Sequence, residues 1–141
     1  MFGETTNRVE FGYESLKEAF PDCDPGVVPL GSRVMVQVRT PKKVTKGGLH
    51  LPDDIRETEF WVSQVAKVLA IGPLAFHNRN TMELWPEGAW CRPGDFVRVP
   101  KNGGDRWTVK TETGEEAMII LYTDLDMLGV VTDPTKMKAF I

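Results

Sequence analysis

The sequence predicts an all-β chain folded as a small irregular barrel, and three observations predict it. Short stretches with a two-residue apolar period recur, first in "RVMVQVR" and then in "QVAKVLA". Glycine-rich turn signals, "KNGGD" and "ETGE", punctuate the later ones. Helical spacing is confined to one short stretch near the N-terminus.

Residues 1–28 read as an extension. Tyr13, Leu16 and Phe20 lie at helical spacing and Pro21 stops the pattern, which predicts a short amphipathic helix docked on the main body. "PDCDPG" then breaks the chain; Asp22, Cys23 and Asp24 read as a turn between prolines rather than as metal ligands. The main domain is expected over residues 29–131. Its first strand sets Val34, Val36 and Val38 against Met35, Gln37 and Arg39, which predicts one buried face.

The run "RTPKKVTKGGLHLPDDIRETE" follows. It has no packing period, yet Leu49 and Leu51 stand in its middle behind Gly47 and Gly48. "FWVSQVAKVLAIG" is the second strand, with Val62, Gln64, Ala66, Val68 and Ala70 on one face and Val65, Lys67, Leu69 and Ile71 on the other. Residues 72–94 form a long insertion rich in turn formers that carries Phe76, Trp85 and Trp90. "GDFVRVP" is a short third strand, and "KNGGD" is expected to turn it into an antiparallel neighbour. "RWTVKT" and "EAMIILY" form a hairpin about "ETGE", "TDLD" is a polar turn, and "MLGVV" is a short closing strand. Residues 132–141 are a loosely held tail.

Composition narrows the function classes. A chain of 141 residues with 41% apolar and 26% charged residues suits one globular domain with a sizeable core. The net charge of -3 speaks against a general nucleic-acid binder. No apolar run is long enough for a membrane helix, and the first residues lack the basic start and apolar core of a secretory signal, so a cytoplasmic setting is expected. Cys23 and Cys91 are too few for a disulfide framework and read as free thiols.

No catalytic constellation emerges. His50 and His77 lie in irregular segments outside any nucleophile motif, and with Cys23 and Cys91 they match no zinc spacing. "KVTKGG" places its lysine before the glycines, the reverse of a phosphate loop. The acidic pairs Asp53–Asp54, Glu57–Glu59 and Glu115–Glu116 read as solvated faces. Arg92, Arg98, Lys101, Arg106 and Trp107 are the best candidates for a single-strand nucleic-acid surface, with ordinary strand and turn positions as the plainer reading. No enzyme, cofactor or metal is expected.

The order of motifs resembles the co-chaperonin family, the chaperonin-10 or GroES-like lids of bacterial chaperonins. "VPLGSRVMVQV" is similar to the family's opening strand through Pro29, Leu30, Arg33, Val34 and Val36. "TKGGLHLP" resembles its mobile-loop tip, a glycine pair followed by an apolar-x-apolar triplet: Gly47, Gly48, Leu49, His50 and Leu51. "VAKVLAIGP" and "RPGDFVRV" look like internal strands, the latter through Gly94, Asp95 and Val97, and "YTDLDMLGVV" resembles the closing segment.

The resemblance implies a GroES-like barrel with a mobile loop over residues 40–58 and a roof-type insertion over residues 72–94 bearing Phe76, Trp85 and Trp90. It implies that residues 47–51 bind an ATP- or ADP-bound GroEL-type chaperonin. It also implies a ring, a heptamer in this family, in which Arg33, Val34, Met35 and Val36 of one copy meet Leu128, Val130 and Val131 of the next. Trp107 and Tyr122 are expected in the core or facing the enclosed cavity. Three features depart from the family: His50 where an aliphatic residue is usual, the long extension, and the poorly matching insertion. They resemble the divergent lids of bacteriophages, which would imply a host bacterial cytoplasm and a client such as a capsid protein. A nucleic-acid-binding barrel and a virion or scaffold component are the alternatives.

Overall fold

The computed structural model describes residues 19–39 and 64–134. The expected loop over residues 40–58, most of the predicted N-terminal helix and most of the tail lie outside the described residues. Among the described residues six strands form one sheet: β1 (Arg33–Val38), β2 (Val65–Ile71), β3 (Phe96–Arg98), β4 (Asp105–Lys110), β5 (Glu116–Thr123) and β6 (Gly129–Val130). Their spatial order is β4-β5-β1-β2-β3-β6, and every neighbouring pair is antiparallel. The all-β expectation holds.

β1 is the interior of this sheet, flanked by β5 and β2. Val34, Val36 and Val38 enter a core shared with Ala66, Val68, Val97, Val99, Ile120 and Tyr122. The prediction of a single buried face is corrected: Met35, Gln37 and Arg39 are buried as well. The end of the extension explains this for Gln37, whose Nε2 donates to the Pro21 carbonyl at 2.9 Å. A buried amide needs such a partner, since desolvation without one is costly. Beside it Ala19, Phe20 and Val65 form a second small cluster, with the Phe20 and Phe96 rings 5.1 Å apart.

The predicted faces of β2 are right only up to Val68. Val36 pairs with Val68 but Met35 pairs with Ala70, so Leu69 is an extra residue, a β-bulge. The bulge inverts the alternation. Ile71, now opposite Val34, packs against the core, while Ala70 leaves the face of Ala66 and Val68.

The "ETGE" hairpin forms as expected. Thr111 N–H donates to Glu115 O at 2.7 Å, and Gly114 takes the left-handed conformation (φ 88°). "KNGGD" does not make a hairpin. It carries the chain from β3 to β4, which are separated in the sheet by β2, β1 and β5, so the turn is a crossover. Gly104 makes that crossing possible: a Cβ there would stand 2.5 Å from Ile120 Cγ2, and its φ is 73°. Arg106 staples the turn by donating to Lys101 O and Gly103 O at 3.1 and 3.2 Å. Tyr122 closes it from below, its hydroxyl donating to Pro100 O at 2.9 Å.

Candidate partner-binding surfaces

The insertion over residues 72–94 is built as a small hairpin on an aromatic base. Asn78 Oδ1 accepts from Asn80 N–H at 2.8 Å and turns the tip, and His77 bridges to Leu84. Below it, the Phe76, Trp85 and Trp90 rings form a triangle with centroids 4.9 to 6.0 Å apart. The three aromatics expected in a roof are the base of this hairpin: Phe76 is fully buried and both tryptophans pack against the core. At the tip, Met82 and Leu84 are exposed.

Phe76 has φ 63°, a costly conformation for a non-glycine residue. Its N–H is held by the buried carboxylate of Asp124 at 2.8 Å. Asp124 N–H in turn donates to Ser32 O at 3.0 Å. One residue, through its carboxylate and its own N–H, thus ties the hairpin, the entry to β1 and the 3-10 turn Asp124–Asp126 together. "TDLD" was readable only as a polar turn. The signal that marks Asp124 is spatial, since its partner lies 48 residues away.

Of the residues expected at a subunit interface, the structure separates the two groups. Val34, Met35 and Val36 are buried in a strand with neighbours on both edges, so β1 offers no free edge. Arg33 alone of the four is exposed. Leu128 and Val130 behave differently: they are 60% and 54% exposed along β6, the last strand of the sheet, whose outer edge has no neighbour among the described residues. Val131 is partly buried and donates to Phe96 O at 2.8 Å.

A second apolar fringe was missed. Val27, Val28 and Leu30 are exposed, Val28 to 78% and Leu30 to 70%, ahead of β1. The signal was present in "VVPL": valines beside a proline that lacks an N–H suit an edge segment rather than the interior of a ladder.

The other candidates are structural. Trp107 is half-buried, with its Nε1–H donating to Pro25 O at 2.9 Å, and Tyr122 belongs to the core. Burial raises the Tyr122 hydroxyl above its ordinary pKa. Arg106 points its donors at the turn and at Tyr122, and Arg98 reaches Gln64 Oε1 at 3.4 Å. These positions do not form a stacking platform for bases. Cys23 and Cys91 are free thiols. Burial pushes Cys91 up to about 11, which makes it an inert thiol. Asp24 caps Gly26 N–H at 3.0 Å, the turn expected in "PDCDPG". Among the described residues there is no cluster able to hold a metal, and no helix long and apolar enough to cross a membrane.

Comparison with known proteins decides the family. The model of the chaperonin 10 kDa subunit family matches residues 26–131, most of the chain. The chain belongs to the co-chaperonin family. It is 33% identical over 105 residues to the mitochondrial 10 kDa heat shock protein of Saccharomyces cerevisiae, covering 74% of this chain and 88% of that one. It is 33% identical over 108 residues to the co-chaperonin GroES of Methylacidiphilum infernorum, covering 77% and 96%. It is 30% identical over 105 residues to the co-chaperonin GroES of Caldicellulosiruptor saccharolyticus, covering 74% and 96%. The function of this co-chaperonin is to cap a GroEL-type chaperonin. Residues 1–25 lie outside the matched region.

Proposed function

We propose that this co-chaperonin acts as a ring of identical copies which closes over the ATP- or ADP-bound chaperonin and encloses a client. The observation that carries the reading is the pair of exposed apolar fringes on one family member, Val27, Val28 and Leu30 on one side and Leu128 and Val130 on the other. The first lies outside any strand and the second lies at β6, whose outer edge has no neighbour among the described residues, and two different apolar surfaces on one chain join copies head-to-tail. A rotation that closes gives a ring, a heptamer as the family resemblance implies.

Contact with the chaperonin falls to residues 47–51. Leu49 and Leu51 each gain about 1.5–3 kcal/mol if fully buried in an apolar groove. Ordering the backbone costs about 1–2 kcal/mol per residue, so one loop binds weakly. Several loops on one rigid ring bind together through high effective concentration, and each remains reversible. In a tip bound in extended form, Gly47 and Gly48 would permit a sharp turn, Pro52 would end the extended segment without needing a donor, and alternation would leave the side chain of His50 to water. Lys42, Lys43 and Lys46 before the tip, and Asp53, Asp54, Glu57 and Glu59 after it, keep the loop solvated.

No chemistry is asked of this chain; nucleotide hydrolysis belongs to the partner. The extension, His50 and the remodelled insertion support a bacteriophage origin, a host bacterial cytoplasm as the working site, and a capsid protein as client. The test is a pull-down with a GroEL-type chaperonin and ATP. The parent protein is retained and Leu51→Asp is not; equal retention of both would overturn the assignment of residues 47–51.

A further inference from the structure

The extension does more than cover a sheet face. Its last residues are fastened at successive points: Phe20 against Phe96, Pro21 O to Gln37 Nε2, Cys23 bridged to Thr111, and Pro25 O to Trp107 Nε1. These contacts span β3, β1 and the β4 end of the sheet, so the segment is a strap across it. Six residues beyond Pro25 the chain is fastened again. Gly31 O accepts from Leu74 N–H at 2.9 Å, and Gly31 packs against Gly72, where a Cβ would collide with the Gly31 carbonyl.

Between these anchors, Val27 and Val28 make no hydrogen bond among the described residues, and Val27, Val28 and Leu30 are exposed. A short segment held at both ends has already lost much of its conformational freedom, and Pro29 restricts it further. The apolar side chains of Val27, Val28 and Leu30 and the backbone groups of Val27 and Val28 are thus presented in a set position.

We propose that residues 19–26 are a built-in clamp that pre-orders Val27–Leu30 to receive β6 of a second copy. This rests on the ring reading given above. A second copy is the occupant because β6 supplies the matching half: a strand edge with no neighbour among the described residues, flanked by exposed Leu128 and Val130 and, like Val27–Leu30, without charged residues from 127 to 131. The clamp lies before residue 26, where the family match begins, so it is an addition to the shared fold. Pre-ordering one edge lowers the conformational cost of association without adding a contact to the interface.

The test is a sedimentation-velocity dilution series on the full chain, with thermal unfolding measured in parallel. Trp107→Phe and Gln37→Met keep the bulk of each side chain and remove one hydrogen-bond donor apiece. The double variant is expected to raise the concentration at which the oligomer half-dissociates about tenfold. Trp107→Phe alone, the milder change, is expected to raise it by a smaller factor at an unchanged melting temperature measured on dissociated protein. Val130→Asp, on the opposite edge, is the reference and is expected to abolish the oligomer. An unchanged half-dissociation point in both clamp variants, with Val130→Asp monomeric, overturns the clamp and leaves the ring reading standing. An oligomer that survives Val130→Asp overturns the ring reading itself. Binding of an unfolded client in place of a second copy at this edge, seen as a client complex that Val28→Asp removes while the oligomer persists, also overturns the proposal.

Discussion

β1 and the segment just before it are made of the same residue type and meet opposite fates. Val34, Val36 and Val38 are wholly buried between two neighbouring strands, whereas Val27 and Val28, a few positions earlier, face solvent. Sequence distance does not separate them; membership of the sheet does. Apolar residues on a strand with both edges satisfied stabilise the fold. The same residues on a free edge gain nothing until another edge arrives. The β6 fringe repeats the lesson, since Val97 is buried and its cross-strand partner Val130 is exposed.

Substitutions on the two sides of this contrast break it in different ways. The largest effect is expected from Ile120→Ala in β5, which should lower the unfolding free energy by about 2–5 kcal/mol in urea titrations. Gly104→Ala should cost about 1–3 kcal/mol by forcing a Cβ against Ile120 at a left-handed φ, measured the same way.

The buried thiol sharpens the interior side. Below pH 9.0, its ordinary value, Cys91 is protonated in folded and unfolded chains alike and pH has no effect through it. Above that, only the unfolded chain ionises, so stability falls as pH rises from 9.0 towards about 11. The loss approaches about 2–3 kcal/mol, and Cys91→Ala should flatten that part of the stability-pH curve. On the fringe, Val28→Ser should change the stability of the monomer by less than about 0.5 kcal/mol while weakening self-association in dilution experiments. The smallest effect is expected from His50→Val, a modest tightening of chaperonin binding by calorimetry.

What could be read from the chain in advance followed the range of the forces involved. The "ETGE" hairpin was readable because its strands and turn are contiguous and glycine at a positive φ is a local demand. The second buried face of β1 was not, because the groups that cover Gln37 come from the extension. The bulge at Leu69 left no trace in "VLAI", where apolar residues occupy both faces. "KNGGD" has the chemistry of a hairpin turn, but the partner of β4 is decided by β5, which comes later in the chain. The family motifs led to the expectation of a binding tip at residues 47–51, which lie outside the described residues, and of interface positions at Leu128 and Val130, which are exposed. They also led to the expectation of interface positions at Val34, Met35 and Val36, which are buried, because the Leu-x-x-Arg-Val part of the pattern runs from exposed Leu30 into a buried strand without a change of residue type.

Native mass spectrometry of the protein alone, and with a GroEL-type chaperonin and ATP, puts the central claim most directly at risk. A closed ring of identical copies that joins the chaperonin only when nucleotide is present is the predicted result. A protein that remains a single chain in both mixtures would show that its two apolar fringes are not edges made for one another.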